Sequence, residues 1–227
     1  MIAELRAALQ ARADPEKAIG MRAYMKSEMP FLGVQKPARA EIARTVFAAY
    51  PLEGFDAWHD TVLALWHEAT YREERYLALA LAGDRRYRQH RTMAALGLYE
   101  ELIVTGAWWD FVDEVAVRLV GELLASDFDA LAPVLRGWAA GDELWMRRSA
   151  IIAQVGRKRH TDLPLLYDCI EPNRLDREFF IRKAIGWALR AYAWVDLAEI
   201  ERYCATHELS ALSRREALRN RERIGKT

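Results

Sequence analysis

Apolar residues recur every three to four positions along nearly the whole chain, and no run alternates strictly or is rich in Val, Ile and Thr, so the pattern predicts helices and no sheet. Roughly a dozen helices, mostly about 10 to 18 residues long, account for the periodic stretches. Their starts fall at Asp14-Pro15, Lys36-Pro37, Ser126-Asp127, Asp162 and Asp196. There an Asp or Ser can accept the free N–H groups of a first turn, or a Pro can occupy it without losing a bond. Ser213 and Glu216, three apart, spell a capping box and predict one more helix start.

The helices also repeat. Tyr71, Trp108, Trp145 and Phe180 each open a helix and stand 37, 37 and 35 residues apart, with further helices over 92–105, 127–139 and 162–170 between them. A helix pair at that period predicts an all-α fold, an α-solenoid of HEAT-like repeats whose equivalent helices line a concave face. No linker rich in Gly, Pro or Ser interrupts it, so residues 1–227 read as a single domain.

One helix departs from a simple two-faced pattern. In "TGAWWDFVDEVAVRLVGELL", 105–124, Phe111, Val112, Val115, Leu119 and Leu123 make a core stripe and Asp110, Glu114 and Arg118 a polar face. Asp113 belongs to neither, because its angular neighbours are Trp109, Ala116, Val117, Val120 and Leu124. An unpaired buried carboxylate costs several kcal/mol. Asp113 is therefore either half of a salt bridge to an Arg of a neighbouring helix or a carboxylate lining a tryptophan-walled cleft. In the stack, Asp113, Arg148 and Lys183 are drawn towards one cleft. The helix near 180–194 has a core stripe of Ile181, Ala184, Ile185, Ala188 and Tyr192, while Lys183, Trp187, Arg190 and Trp194 share the other side. Indoles beside cations suit stacking on bases, with the basic groups taking phosphates; Trp194 reads better as packing against a neighbour.

Composition and charge narrow the chemistry. With 52% hydrophobic residues the chain can bury a sizeable core, and no stretch approaches a membrane span or a signal peptide, which predicts a cytoplasmic protein with no membrane partner. Cys169 and Cys204 are too few and too far apart for a disulfide framework or a metal pair, and the five histidines lack metal-ligand spacing, so no metal is expected. GxGxxG, Walker and GxSxG motifs are absent and no cofactor is expected. Net charge is zero, yet residues 142–227 hold 17 Lys/Arg against 13 Asp/Glu. "RRSAIIAQVGRKRH", 147–160, has five basic residues and no acidic one, and "SRREALRNRERIGKT" at the end nets plus four, which suits a polyanion.

"WWDFVDEVAV" with Trp109 and Asp113, "LWMRRSAIIAQ" with Arg148, "FFIRKAIGWALRAY" with Trp187 and "YMKSEMPFLGVQKP" near the N-terminus resemble the DNA alkylation repair glycosylases of the AlkD type, in order over roughly residues 20–195. The resemblance implies a HEAT-like solenoid holding duplex DNA that contains N3- or N7-alkylated purines, and hydrolysis of their glycosidic bond without a base-flipping pocket. Carried over, Asp113 is the catalytic carboxylate, Trp109 and Trp187 the walls against the deoxyribose, and Arg148 a DNA-backbone contact, with Lys183 and Arg190 as further phosphate contacts on charge grounds. Beyond about residue 196 no motif applies. Alternatives are a non-catalytic HEAT-like DNA-structure-binding protein and a protein-binding scaffold. A monomer is expected, since a solenoid clasping DNA needs no second chain.

Overall fold

The computed structural model describes residues 1–225, and among them every regular element is a helix, as the periodicity predicts. Lys226 of the basic tail lies outside the described residues. The chain forms two compact units, Met1–Arg91 and the remainder from Thr92.

The first unit contains α1 (Ile2–Gln10), α2 (Pro15–Met25), α3 (Lys36–Ala49), α4 (Gly54–His67) and α5 (Arg72–Ala82). The Asp14 side chain accepts the Lys17 N–H and Pro15 fills the first position of α2, as the Asp-Pro pair predicts. Leu5, Leu9, Phe47, Trp58, Trp66 and Leu77 are fully enclosed. Glu73 is buried as well, and its carboxylate accepts the backbone N–H groups of Leu32, Gly33 and Val34 at 3.0, 2.9 and 3.1 Å, which fixes the "PFLGV" segment against α5. Gly33 has φ +85°, and a Cβ there would meet the Asp14 carbonyl, so glycine is required.

The second unit holds α6 (Leu96–Gly106), α7 (Trp109–Glu114), a π-helical turn (Val115–Val120) and α8 (Gly121–Ser126), the last three forming one continuous helix. Then follow α9 (Phe128–Ala140), α10 (Leu144–Ile152), α11 (Leu163–Ile170), α12 (Phe179–Ala193), α13 (Leu197–Thr206), α14 (Ala211–Ala217) and α15 (Arg221–Ile224). The expected intervening helices are present within a few residues of their predicted limits. Asp162 and Asp196 cap α11 and α13 through the Leu165 and Glu199 N–H groups. The capping box is misplaced: Ser210, not Ser213, caps α14. Ser213 lies inside that helix, where its hydroxyl donates to the Arg182 carbonyl, and Glu216 is drawn away by cations of α12.

The repeat period has a physical basis in this unit. Trp108, Trp145 and Phe180 pack in one cluster, with ring centroids 6.3, 5.6 and 5.0 Å apart. These three openers thus meet one another with tilted or edge-on rings. Polar contacts obey the same spacing: Cys169 with the Leu135 carbonyl and Asn173 with the Ala139 carbonyl each span 34 residues, and Trp138 with Glu100 spans 38. One row of packed helices runs from the 109–126 helix to α10, α12 and α14. Two glycines let it close up: a Cβ at Gly121 would lie 2.9 Å from the Ala153 carbonyl, and one at Gly186 would lie 2.4 Å from the Cβ of Glu216.

Candidate active site

The row just described carries the candidate residues. Within the 109–126 helix, Phe111, Val112, Val115, Leu119 and Leu123 are all buried, as the stripe predicts, while Trp109 and Asp113 are half-buried. Trp108, extended at the helix start, turns its indole into the aromatic cluster. Trp109 begins the helix proper and so stands on another face, one turn before Asp113.

Asp113 meets Arg148 of α10 in a two-pronged ion pair: Nε donates to Oδ1 and Nη2 to Oδ2, both at 2.8 Å. The third prong, Nη1, donates to the Phe180 carbonyl at 2.6 Å, at the start of α12. The Arg148 side chain is only 6% exposed and that of Asp113 17%. Burial lifts the Asp113 carboxyl above the usual carboxylate range, against the hydrogen bonds and charge of Arg148, which pull it down. The fork geometry is that of guanidinium against carboxylate, so the pair is ionic. The Arg salt bridge anticipated for this carboxylate is thus present, and water reaches the acidic side more than the basic one.

Trp187 occupies a different position on the row. With Arg190, Ala191 and Trp194 of α12, and with Val155 and Lys158, it lines a cleft of about 370 Å³. A second cleft, about 630 Å³, lies beside Val117, one turn beyond Asp113, and is lined also by Gly156, Arg157 and His160. The short basic segment 155–160 thus faces both clefts. Gln154, buried, holds it in place: its Nε2 donates to the Asp162 carbonyl at 3.0 Å and its Oε1 accepts the Asp162 N–H at 2.8 Å. Lys158 has φ +51°, a left-handed conformation that is uncommon for a residue with a Cβ.

Lys183 does not join the Asp113–Arg148 pair. Its ammonium meets Glu216 Oε1 of α14 at 3.1 Å, and Arg190 meets Oε2 of the same carboxylate at 2.6 Å and its backbone carbonyl at 3.1 Å. Burial acts to raise the Glu216 carboxyl, but the two cations outweigh it and hold the group below the usual range. Glu216, which the capping-box spelling assigns to a helix start, instead pairs with Lys183 and Arg190. In the sequence, Lys158 and Gln154 stand out only as part of the basic run 147–160. Trp194 is half-exposed beneath the Arg223 guanidinium, 5.5 Å from its ring, consistent with packing against a neighbour.

The model of the DNA alkylation repair enzyme family matches residues 5–220, and the chain belongs to that family. It is similar to a solved structure described as a predicted DNA alkylation repair enzyme from Enterococcus faecalis, at 29% identity over 91% of this chain and 95% of that one, with a TM-score of 0.80. No curated protein matches it. Its role is therefore in DNA alkylation repair, with DNA as the substrate; no helix among the described residues is long and apolar enough to cross a membrane.

Proposed function

We propose that the protein is a monofunctional DNA glycosylase that hydrolyses the N-glycosidic bond of cationic N3- or N7-alkylated purines in duplex DNA, acting as a monomer in the cytoplasm without metal or cofactor. The observation that carries this reading is the Asp113 carboxylate, held rigidly by Arg148 yet left partly open to solvent one turn from Trp109.

Alkylation at N3 or N7 makes the purine positively charged, so it leaves without a general acid. The deoxyribose then develops oxocarbenium character. Each Asp113 oxygen spends one acceptor site on Arg148 and keeps another. Those remaining sites can stabilise the sugar cation and orient or deprotonate the attacking water. The π-faces of Trp109 and Trp187 favour a cation and keep bulk water away, so no base-flipping pocket is invoked. In this reading Arg148 positions Asp113, and the two N–H groups it does not commit internally are what it retains for a DNA phosphate. Lys183 and Arg190 take phosphates in competition with Glu216.

The test is release of N7-methylguanine or N3-methyladenine from methylated duplex DNA under single-turnover conditions. Release above the uncatalysed rate supports the reading. Duplex binding without release would return the protein to a non-catalytic DNA-binding role, and binding to neither damaged nor undamaged duplex would favour a protein-binding scaffold.

A further inference from the structure

The C-terminal helices lie beyond the motifs that define the site, and they divide sharply by face. On α14, Ser213, Glu216 and Ala217 are buried against the rest of the unit, whereas Arg214 and Arg215 are exposed. Arg219, Arg221 and Arg223 continue the exposed set. Over 210–225 five arginines face two glutamates, and one of those, Glu216, is already turned inward onto Lys183 and Arg190. The outer face is therefore strongly cationic.

The arginines also surround a space. A cleft of about 640 Å³ is lined by Arg214, Arg215, Arg219 and Arg221 together with Leu218 and Glu222. Arg221 is neutralised by Glu201 at 2.8 Å. Arg219 reaches Glu216 only at 3.9 Å, Arg214 has a long bond to the His207 carbonyl at 3.4 Å, and Arg215 has no hydrogen bond or ion pair among the described residues. Several guanidiniums around one hollow repel each other, so an anion placed there lowers the energy of the whole group. This surface is continuous with the tryptophan cleft: Arg223 of α15 lies over Trp194, which lines that cleft with Trp187 and Arg190.

We propose that the α14–α15 arginine face is a phosphodiester-binding surface that grips duplex DNA flanking the lesion, extending the footprint beyond the residues next to the reacting sugar. The proposal rests on the duplex-DNA reading above but not on its chemistry. Guanidinium–phosphate contacts supply affinity by counterion release and carry no sequence information.

The test uses the full chain with Arg214, Arg215 and Arg219 all changed to Gln, a substitution that costs little helix propensity. Binding is measured across a salt series on undamaged duplexes of about one and about three helical turns. Wild type should gain affinity and salt slope on the longer duplex. The variant should lose about two to three units of that slope, and about ten- to a hundred-fold in affinity at low salt, while matching wild type on the shorter duplex and in excision of N7-methylguanine from it. An unchanged slope on the longer duplex overturns the proposal. So does protection of the wild type against thermal unfolding by inorganic phosphate with no difference on DNA, which would make the hollow a free-anion site. Loss of excision by both proteins with the length effect intact would instead strike the glycosylase reading alone.

Discussion

Replacing Asp113 by Asn separates charge from shape at the centre of the site. The amide keeps one oxygen to accept from Arg148 but turns an NH2 towards a second guanidinium N–H, so one of two 2.8 Å bonds is lost and the arginine loses its counter-charge. A hydrogen bond to a charged group is worth about 1.5 to 3 kcal/mol, and fully breaking a buried ion pair costs about 3 to 5 kcal/mol. The lower range applies here, because the remaining oxygen still accepts and the acidic side is 17% exposed to water. For a chain of this size that lowers the melting temperature by about 3 to 12 °C.

Catalysis should suffer separately. Loss of one preorganised charge at a developing cation lowers the rate by roughly 10² to 10³-fold, about 3 to 4 kcal/mol of transition-state stabilisation. The assay is single-turnover excision of N7-methylguanine, run at saturating enzyme and well below the variant's melting temperature so that the folded fraction is complete. A variant with the lowered melting temperature but wild-type excision would refute the catalytic assignment and leave Asp113 as a structural ion-pair partner.

Excision should fall on acidification with a midpoint above the ordinary aspartate value of about 3.9, since burial raises the Asp113 carboxyl; a midpoint at or below it would remove Asp113 as the titrating group. Stability also falls on acidification, but from a shift of the opposite sign: Glu216 is lowered by Lys183 and Arg190, so its contribution is present above the ordinary glutamate range of about 4.3 and is lost as pH falls through the lowered value, and Glu216→Gln should flatten the acid limb of the melting temperature. Trp109→Ala and Trp187→Ala should lower excision while costing less than the roughly 3 to 5 kcal/mol typical of a buried Trp, as both side chains are half-exposed; a full loss of that size in denaturant melts would mark them as core. Gly186→Ala places a Cβ 2.4 Å from that of Glu216 and should destabilise by about 1 to 3 kcal/mol, whereas Gly20→Ala, with open space around it, should be neutral or mildly stabilising.

Much of this architecture is legible in the sequence because helices announce themselves through the spacing of apolar side chains. The core stripes of the 109–126 helix and of α12 follow directly from a period of 3.6, with Tyr192 less buried than its stripe implies. What escapes is whatever depends on contacts rather than spacing. The π-turn at Val115–Val120 buries Val115, Ala116, Leu119 and Val120, residues that an α-turn would also bury, so the pattern is silent about it. The Ser213–Glu216 spelling fails because Ser210 offers the same cap one turn earlier, and because two cations outbid a backbone N–H for the carboxylate of Glu216.

The partner of Asp113 was legible in another way. Asp113 and Arg148 are 35 residues apart, one repeat, and Lys183 lies 35 beyond Arg148. Side chains at equivalent places on successive helices of the row meet when their lengths allow, and the long guanidinium of Arg148 reaches both the aspartate of the preceding repeat and the carbonyl of Phe180 in the next. Lys183 is held off by Glu216 instead. Ion pair and catalytic carboxylate, which stand as alternatives in the sequence, are compatible once the geometry is known. Burial of a lone carboxylate this enclosed would raise its pKa unopposed, whereas the arginine fork opposes that rise and fixes the group while leaving it an open lone pair. The discriminating variant is therefore Arg148→Lys, which keeps the positive charge and removes the fork. If Arg148 acts through Asp113, excision should drop by about tenfold or more, as expected for a misplaced reacting group, with the acid limb moved to higher pH because the fork's hydrogen bonds no longer pull the Asp113 carboxyl down. If charge alone matters, Lys should restore full activity, and the positioning role falls.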